Sequence, residues 1–249
     1  MTAEYQVHGD VAVITMNNPP VNGLGLSTRQ GIAAGLEKAE ADPVVKSIVI
    51  TGAGKAFSGG ADIREFGSPK ALAEPNLLSV ILMIENSAKP VIAAIHSVCM
   101  GGGLELALGC HYRIAAPGCS VALPEVKLGL VPGAGATQRL PRLVGLAEAL
   151  KLIPTGKIIS GKAAMAIGLV NAIDDDPVAA AKLIDQKILS EAVPLSLMKA
   201  GRDKTVNYDT ARQLAIRRMR GQEAPLTAIS LLETAQTATF DDGMQKERN

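Results

Sequence analysis

Tryptophan is absent from these 249 residues, and tyrosine and phenylalanine number only three each. The core must therefore be built from Ala, Val, Leu, Ile and Met, and the aromatic platforms on which unpaired bases stack are missing. Charge of one sign is missing too: 25 Lys and Arg against 24 Asp and Glu leave a net charge of +1. No global field points to nucleic acid or to an anionic membrane. Cysteine is scarce and odd in number (Cys99, Cys110, Cys119), with no C-x-x-C pair. Neither a disulfide framework nor a zinc site is expected, and no metal. No apolar run approaches the roughly 18 residues of a membrane span, and MTAEYQVHGD has no basic-then-apolar leader. A cytoplasmic protein is expected, with peroxisome or mitochondrion as compatible soluble compartments. No G-x-G-x-x-G occurs, so no dinucleotide cofactor is expected. GKIISGK at 156–162 has phosphate-loop spacing, but Ala163 stands where a Ser or Thr would hold magnesium and the preceding segment reads as helix.

What is present is 47% hydrophobic sequence ordered in two styles. YQVHGDVAVITMN alternates about a His8-Gly9-Asp10 turn and predicts a hairpin. Ser27 reads as the cap of a helix to about Glu40, KSIVITGA (46–53) as a buried strand and residues 76–87 as an apolar helix stopped before Pro90. Strands are expected at 91–97, 111–117 and 120–125. From Thr137 the period becomes helical, with helices near 145–153, 162–169, 177–192, 208–220 and 224–238. Strand–helix units followed by a helical half indicate an α/β chain. The polar tail FDDGMQKERN is expected to fray.

Three stretches carry chemistry. In GGGLELALGC (101–110) a strand runs into three glycines, and Glu105 sits among leucines with no Lys or Arg within five residues. Amides at a helix start are unpaired and lie at the positive end of the dipole, which suits a developing negative charge. The plainer alternative is a tight turn, with Glu105 serving the helix terminus. Apolar neighbours favour a buried carboxyl of raised pKa, as an acid or base requires. Glu125, in SVALPEVKLGL (120–130), is a second apolar-embedded carboxylate, or else a solvated strand end; spacing does not decide whether the two meet. GKAFSGGADI (54–63) offers another amide array, with Asp62 as a cap and the Ala61 amide free beside it. Ser58 lacks the G-x-S-x-G context of a nucleophile.

Taken in order, FSGGADI (57–63), CMGGGLELALGC (99–110) and LPEVKLGLVPGAGATQRLPRLVG (123–145) resemble the enoyl-CoA hydratase/isomerase (crotonase) superfamily. The likeness runs over nearly the whole chain from NPPVNGL at 18–24. GGGLELALGCHYRIA (101–115) is most similar to the N-terminal hydratase module of bifunctional enoyl-CoA hydratase/3-hydroxyacyl-CoA dehydrogenases. The resemblance implies a spiral of repeated β-β-α units over 1–195 and a C-terminal helical region, 196–249, for oligomerisation or self-capping. It implies hydration of 2-enoyl-CoA in fatty acid β-oxidation, with coenzyme A as part of the substrate and no separate cofactor. The amides of Ala61 and Gly102 would form an oxyanion hole, Glu105 and Glu125 would be the catalytic carboxylates, and Gly133 would help position water. The loop of Ser58, Gly60, Ala61, Asp62 and Ile63 would contact the CoA. Gly59 departs from the more usual alanine. Δ3,Δ2-Enoyl-CoA isomerisation, another crotonase-type reaction and a non-catalytic acyl-CoA-binding module are the rivals. The partners implied are the acyl-CoA and either further copies, as homotrimer or hexamer, or a fused dehydrogenase module if the natural chain continues past Asn249.

Overall fold

The fold is described from a computed structural model covering residues 2–201 and 203–249. Strands β1 (Ala3–His8) and β2 (Val11–Met16) form the expected hairpin, with His8 opposite Val11 and Gly9 at φ +64° in the turn. Helix α1 (Leu26–Ala41) begins at Gly25, not Ser27. The reason is long-range: both carboxylate oxygens of Glu65 accept the Leu26 amide, replacing a local cap. Strand β3 (Ser47–Gly52) follows, then α2 (Leu77–Glu85), whose cap Asn76 accepts from the Ser79 amide. Next come β4 (Val91–Ile95), β5 (Val98–Met100), α3 (Gly102–Gly109), β6 (Tyr112–Ala115) and β7 (Ser120–Ala122). β7 ends before Glu125, which opens a 3-10 turn, Glu125–Leu128, in place of the expected strand end.

The second half holds α4 (Ala136–Val144), α5 (Leu146–Leu152), the short β8 (Ile159–Ser160), α6 (Gly161–Ala166) and the short β9 (Ala172–Ile173). Gly161 thus starts a helix after a two-residue strand, which disposes of the phosphate-loop reading. The helix expected over 177–192 is two pieces, α7 (Pro177–Lys182) and α8 (Gln186–Ser190), with Asp185 recapping the chain at the second. α9 (Tyr208–Arg218) and α10 (Ala224–Thr237) follow. The tail does not fray. Phe240–Arg248 is a helix, α11, capped by Thr239 and packed on α4 and α10.

The strands explain why the chain spirals. One sheet runs β1-β2-β3-β4-β6-β9, parallel from β2 onward; a second runs β5-β7-β8. Each turn of chain places a strand in the first sheet, crosses to the second, and returns through a helix. β4, β5 and α3 make one such turn. β6, β7 and α4 make the next. β3 makes an earlier one, in which Ser58 bridges Cys99 in parallel as the stub of a second strand. Ser58, β5 and β7 are therefore neighbours, and the segments leaving them (59–62, 101–102 and 123–125) share one edge. The core between the layers is aliphatic, with Phe57 the aromatic side chain enclosed in it.

One ion pair is sealed inside. Arg139, 0% exposed, donates to both oxygens of Glu85, 4% exposed, at 3.3 and 2.7 Å, and to the Ala134 carbonyl. Removing one partner strands the other charge in a low dielectric. Arg139→Met should cost about 3–5 kcal/mol of unfolding free energy, and adding Glu85→Leu should recover most of it. Denaturant titration of the single and double variants checks this; equal losses would assign the cost to packing.

Candidate active site

Glycine brings the pieces together at the shared edge. A Cβ on Gly60, which sits at φ +99°, would fall 2.8 Å from the Met100 carbonyl and 3.1 Å from the Gly102 nitrogen. A Cβ on Gly102 would lie 3.4 Å from the Ala61 nitrogen, and one on Gly101 would lie 3.0 Å from Oε1 of Glu125. Side chains at these positions would push the three segments apart. The Ala61 and Gly102 amides are thus adjacent, and neither donates to another described residue. Gly102 is moreover the first residue of α3, where helix geometry leaves N–H groups unpaired.

Glu105 lies one turn into α3 and is 4% exposed. Its Oε1 accepts the Ala134 amide at 2.8 Å and the Ala136 amide at 3.2 Å. Glu125 is half-buried, and its Oε2 is enclosed without a hydrogen-bond partner among the described residues. Burial raises both carboxyls above the ordinary value of about 4.5. The charge of Glu247 pushes both higher, and that of Glu125 adds to the rise at Glu105. Bonds from two backbone amides oppose the rise at Glu105. Glu247 was invisible in the sequence, where it sits in a tail of charged residues. It is 6% exposed and accepts the Gly135 amide at 2.6 Å and the Thr137 amide at 3.0 Å.

The other expected positions divide. Gly133 is exposed next to the Ala134 amide. Ala61 and Ile63 are exposed, and Asp62 caps the turn Ile63–Glu65 while pairing with Arg64 at 2.7 Å. That pair and an Asn18 contact hold the Asp62 carboxyl down at about 2, with the Arg64 hydrogen bond the larger cause. Ser58 and Gly60 lie inside the loop rather than on its open side. Ser58 is fully buried, its hydroxyl donates to the Asn22 carbonyl and accepts the Gly60 amide, and its own amide and carbonyl are taken by Val98 and Met100. The Gly60 carbonyl is taken by Leu24. Both shape the loop that presents Ala61. At Gly59 a Cβ would meet Val21 Cγ2 at 2.9 Å, so glycine there makes room for a branched neighbour. Among the described residues no group of acidic, His or Cys side chains is placed to hold a metal ion.

Raised carboxyls carry a stability signature. A group whose folded pKa exceeds its unfolded one stabilises fully below the unfolded value and loses that contribution as pH climbs through the folded value. Thermal stability should therefore fall from about pH 5 upward through the raised values of Glu105 and Glu125. Glu105→Gln should flatten that fall and raise the melting temperature on the alkaline side, as differential scanning fluorimetry across pH would show. A profile identical to wild type would mean that Glu105 is not desolvated.

Comparison with known proteins comes to the same place. The chain matches the family described as enoyl-CoA hydratase/isomerase over residues 6–245. It is 39% identical over 252 residues to the peroxisomal bifunctional enzyme of Danio rerio, covering 98% of this chain but 35% of that protein's length. A probable enoyl-CoA hydratase of Bacillus subtilis is 42% identical over 221 residues, covering 84% of this chain and 85% of the relative. The crystal structure of enoyl-CoA hydratase from Thermoplasma volcanium superposes with a TM-score of 0.69 at 32% identity, over 100% of this chain and 98% of the other. With two neighbouring free amides, two desolvated carboxylates and these likenesses, the chain belongs to the enoyl-CoA hydratase/isomerase family.

Proposed function

We propose that this chain adds water across the C2=C3 bond of 2-enoyl-CoA thioesters. The observation that carries this reading is the convergence of the Ala61 and Gly102 amides with the Glu105 and Glu125 carboxylates on one edge of the spiral. The amides would hold the thioester oxygen as charge moves onto it, each worth roughly 3–4 kcal/mol in the transition state. Like-charged neighbours do not both ionise readily, so the pair shares protons. Two amide donors on Glu105 work against its burial and toward its anion, while the unpartnered Oε2 of Glu125 is open to carry or release a proton. Glu105 would then take a proton from the water attacking C3, with Gly133 at the water's side, and Glu125 would deliver a proton to C2. Each transfer supplies roughly 10²–10⁴ in rate. The loop of Ser58, Gly60, Ala61, Asp62 and Ile63 would face the CoA, with Ala61, Asp62 and Ile63 on its more open side. Coenzyme A enters as part of the substrate, and no other cofactor belongs to the reading.

The plant relatives named as peroxisomal or glyoxysomal fatty acid β-oxidation multifunctional proteins favour that process as the setting. The core over 1–195 would carry the reaction and residues 196–249 would cap it, either in a homotrimer or hexamer or beside a fused dehydrogenase module. A cytoplasmic or peroxisomal site is decided by imaging the tagged protein, and assembly by light scattering.

A second reading has its own support. Moving a double bond from C3 to C2 shuttles one proton from C2 to C4 without water, and Glu125 alone, with a free buried oxygen, meets that need. Loss of crotonyl-CoA absorbance tests the first reaction, and 3-enoyl-CoA conversion tests the second. Glu125→Gln should depress both by roughly 10²–10⁴. Glu105→Gln should depress hydration comparably and retain much more isomerisation. Near-normal hydration by folded Glu105→Gln would remove the two-carboxylate mechanism.

A further inference from the structure

Four consecutive amides, Ala134 to Thr137, are divided between two carboxylates. Ala134 and Ala136 donate to Glu105, at 2.8 and 3.2 Å, whereas Gly135 and Thr137 donate to Glu247, at 2.6 and 3.0 Å. The Thr137 hydroxyl adds a further bond to Glu247. An ordinary helix start is capped by one side chain. Here a single carboxylate facing four donors would turn both oxygens onto them. Glu247 saturates two of the four, and Glu105 is hydrogen bonded only through Oε1 among the described residues.

The seat of Glu247 is built for its place. Phe240, at the start of α11, lies against the guanidinium carbons of Arg139 and Arg142 at 4.9 and 5.2 Å from its centroid. Gly243 is a glycine because any Cβ there would fall 2.0 Å from Oε1 of Gln138. Met244 and Glu247 are buried on the same face, while Asp241, Asp242, Lys246 and Arg248 point outward. The charges around Glu247 come from every packed element. Glu105 faces it from α3, Glu125 from the 3-10 turn and Arg139 from α4, the last itself tied to Glu85 of α2. The ionisable residue of α10, Glu233, is turned away in a pair with Arg212.

We propose that Glu247 is a positioning residue of the reaction: from the last helix it fixes the 133–137 segment and leaves Oε2 of Glu105 free to work on water. The proposal rests on the hydratase reading for its chemistry but not for its test. Burial and the Glu247 charge both raise Glu105, so the position has an electrostatic signature that a purely structural cap lacks.

The test uses the full chain with glutamate carboxyls labelled by ¹³C, the Glu105 signal being assigned by its loss in Glu105→Gln. In Glu247→Gln the Glu105 titration midpoint should fall by about half a pH unit or more, because a neighbouring negative charge has gone. Crotonyl-CoA turnover should fall about 10–100-fold, the scale of a misplaced catalytic group, with the acid limb of its pH profile displaced to lower pH. Glu247→Asp keeps the charge but is one methylene short; its midpoint should stay raised while turnover falls about tenfold or more. An unmoved Glu105 midpoint in folded Glu247→Gln overturns the proposal. Should that variant not fold, wild-type turnover in Glu247→Asp overturns it instead. If the wild-type protein hydrates nothing, the reaction is refuted while the titration still decides the role of Glu247.

Discussion

The N-terminus of α4 is the constraint on which the rest of the site depends. Its amides would be orphaned in any helix, and here they and the two just before them hold two buried carboxylates. Helix-end partial charge is the compensation that lets several acidic groups occupy one apolar region. Arg139, further along the same helix, contributes the remaining positive charge, and it is neutralised in turn by Glu85. Without that arrangement the burial of Glu105 and Glu247 would be too costly to keep either group in place.

The spiral explains why the opposing side of the site presents backbone amides rather than side chains. Ser58, β5 and β7 are neighbours in successive turns, so the segments that leave them are neighbours as well. Amides from two turns and a carboxylate from the third meet because they hold equivalent places in a repeated unit. Glycine at 60, 101 and 102 is the condition for that approach, since each absent Cβ would touch the next segment. Side chains with flexible torsions could not hold two donors so near each other at comparable entropic cost.

Much of this was legible in the sequence. Glycines after a strand, Glu105 among leucines and Glu125 in an apolar run are local signals, and the hairpin and helix periods are local too. What escaped was set by distant partners. α1 begins at Gly25 because Glu65, far along the chain, caps Leu26. The Ser58 hydroxyl bonds Asn22 and Gly60, partners that only the loop's folded path reveals. The polar tail became α11 because a few of its residues, Phe240, Gly243, Met244 and Glu247, fall on one helical face that matches α4. In a stretch otherwise charged, no periodic apolar stripe announces such a face.

The bond from Gly135 to Glu247 joins residues 112 positions apart. Closing so long a loop in an unstructured chain costs on the order of 4 kcal/mol in entropy, about what two charge-assisted hydrogen bonds return. That seam is therefore a poor nucleus: formed first, it would return little net free energy. The cluster of buried carboxyls is accordingly a product of the finished core. Carboxylates that repel one another are brought face to face only when the scaffold that compensates them is complete.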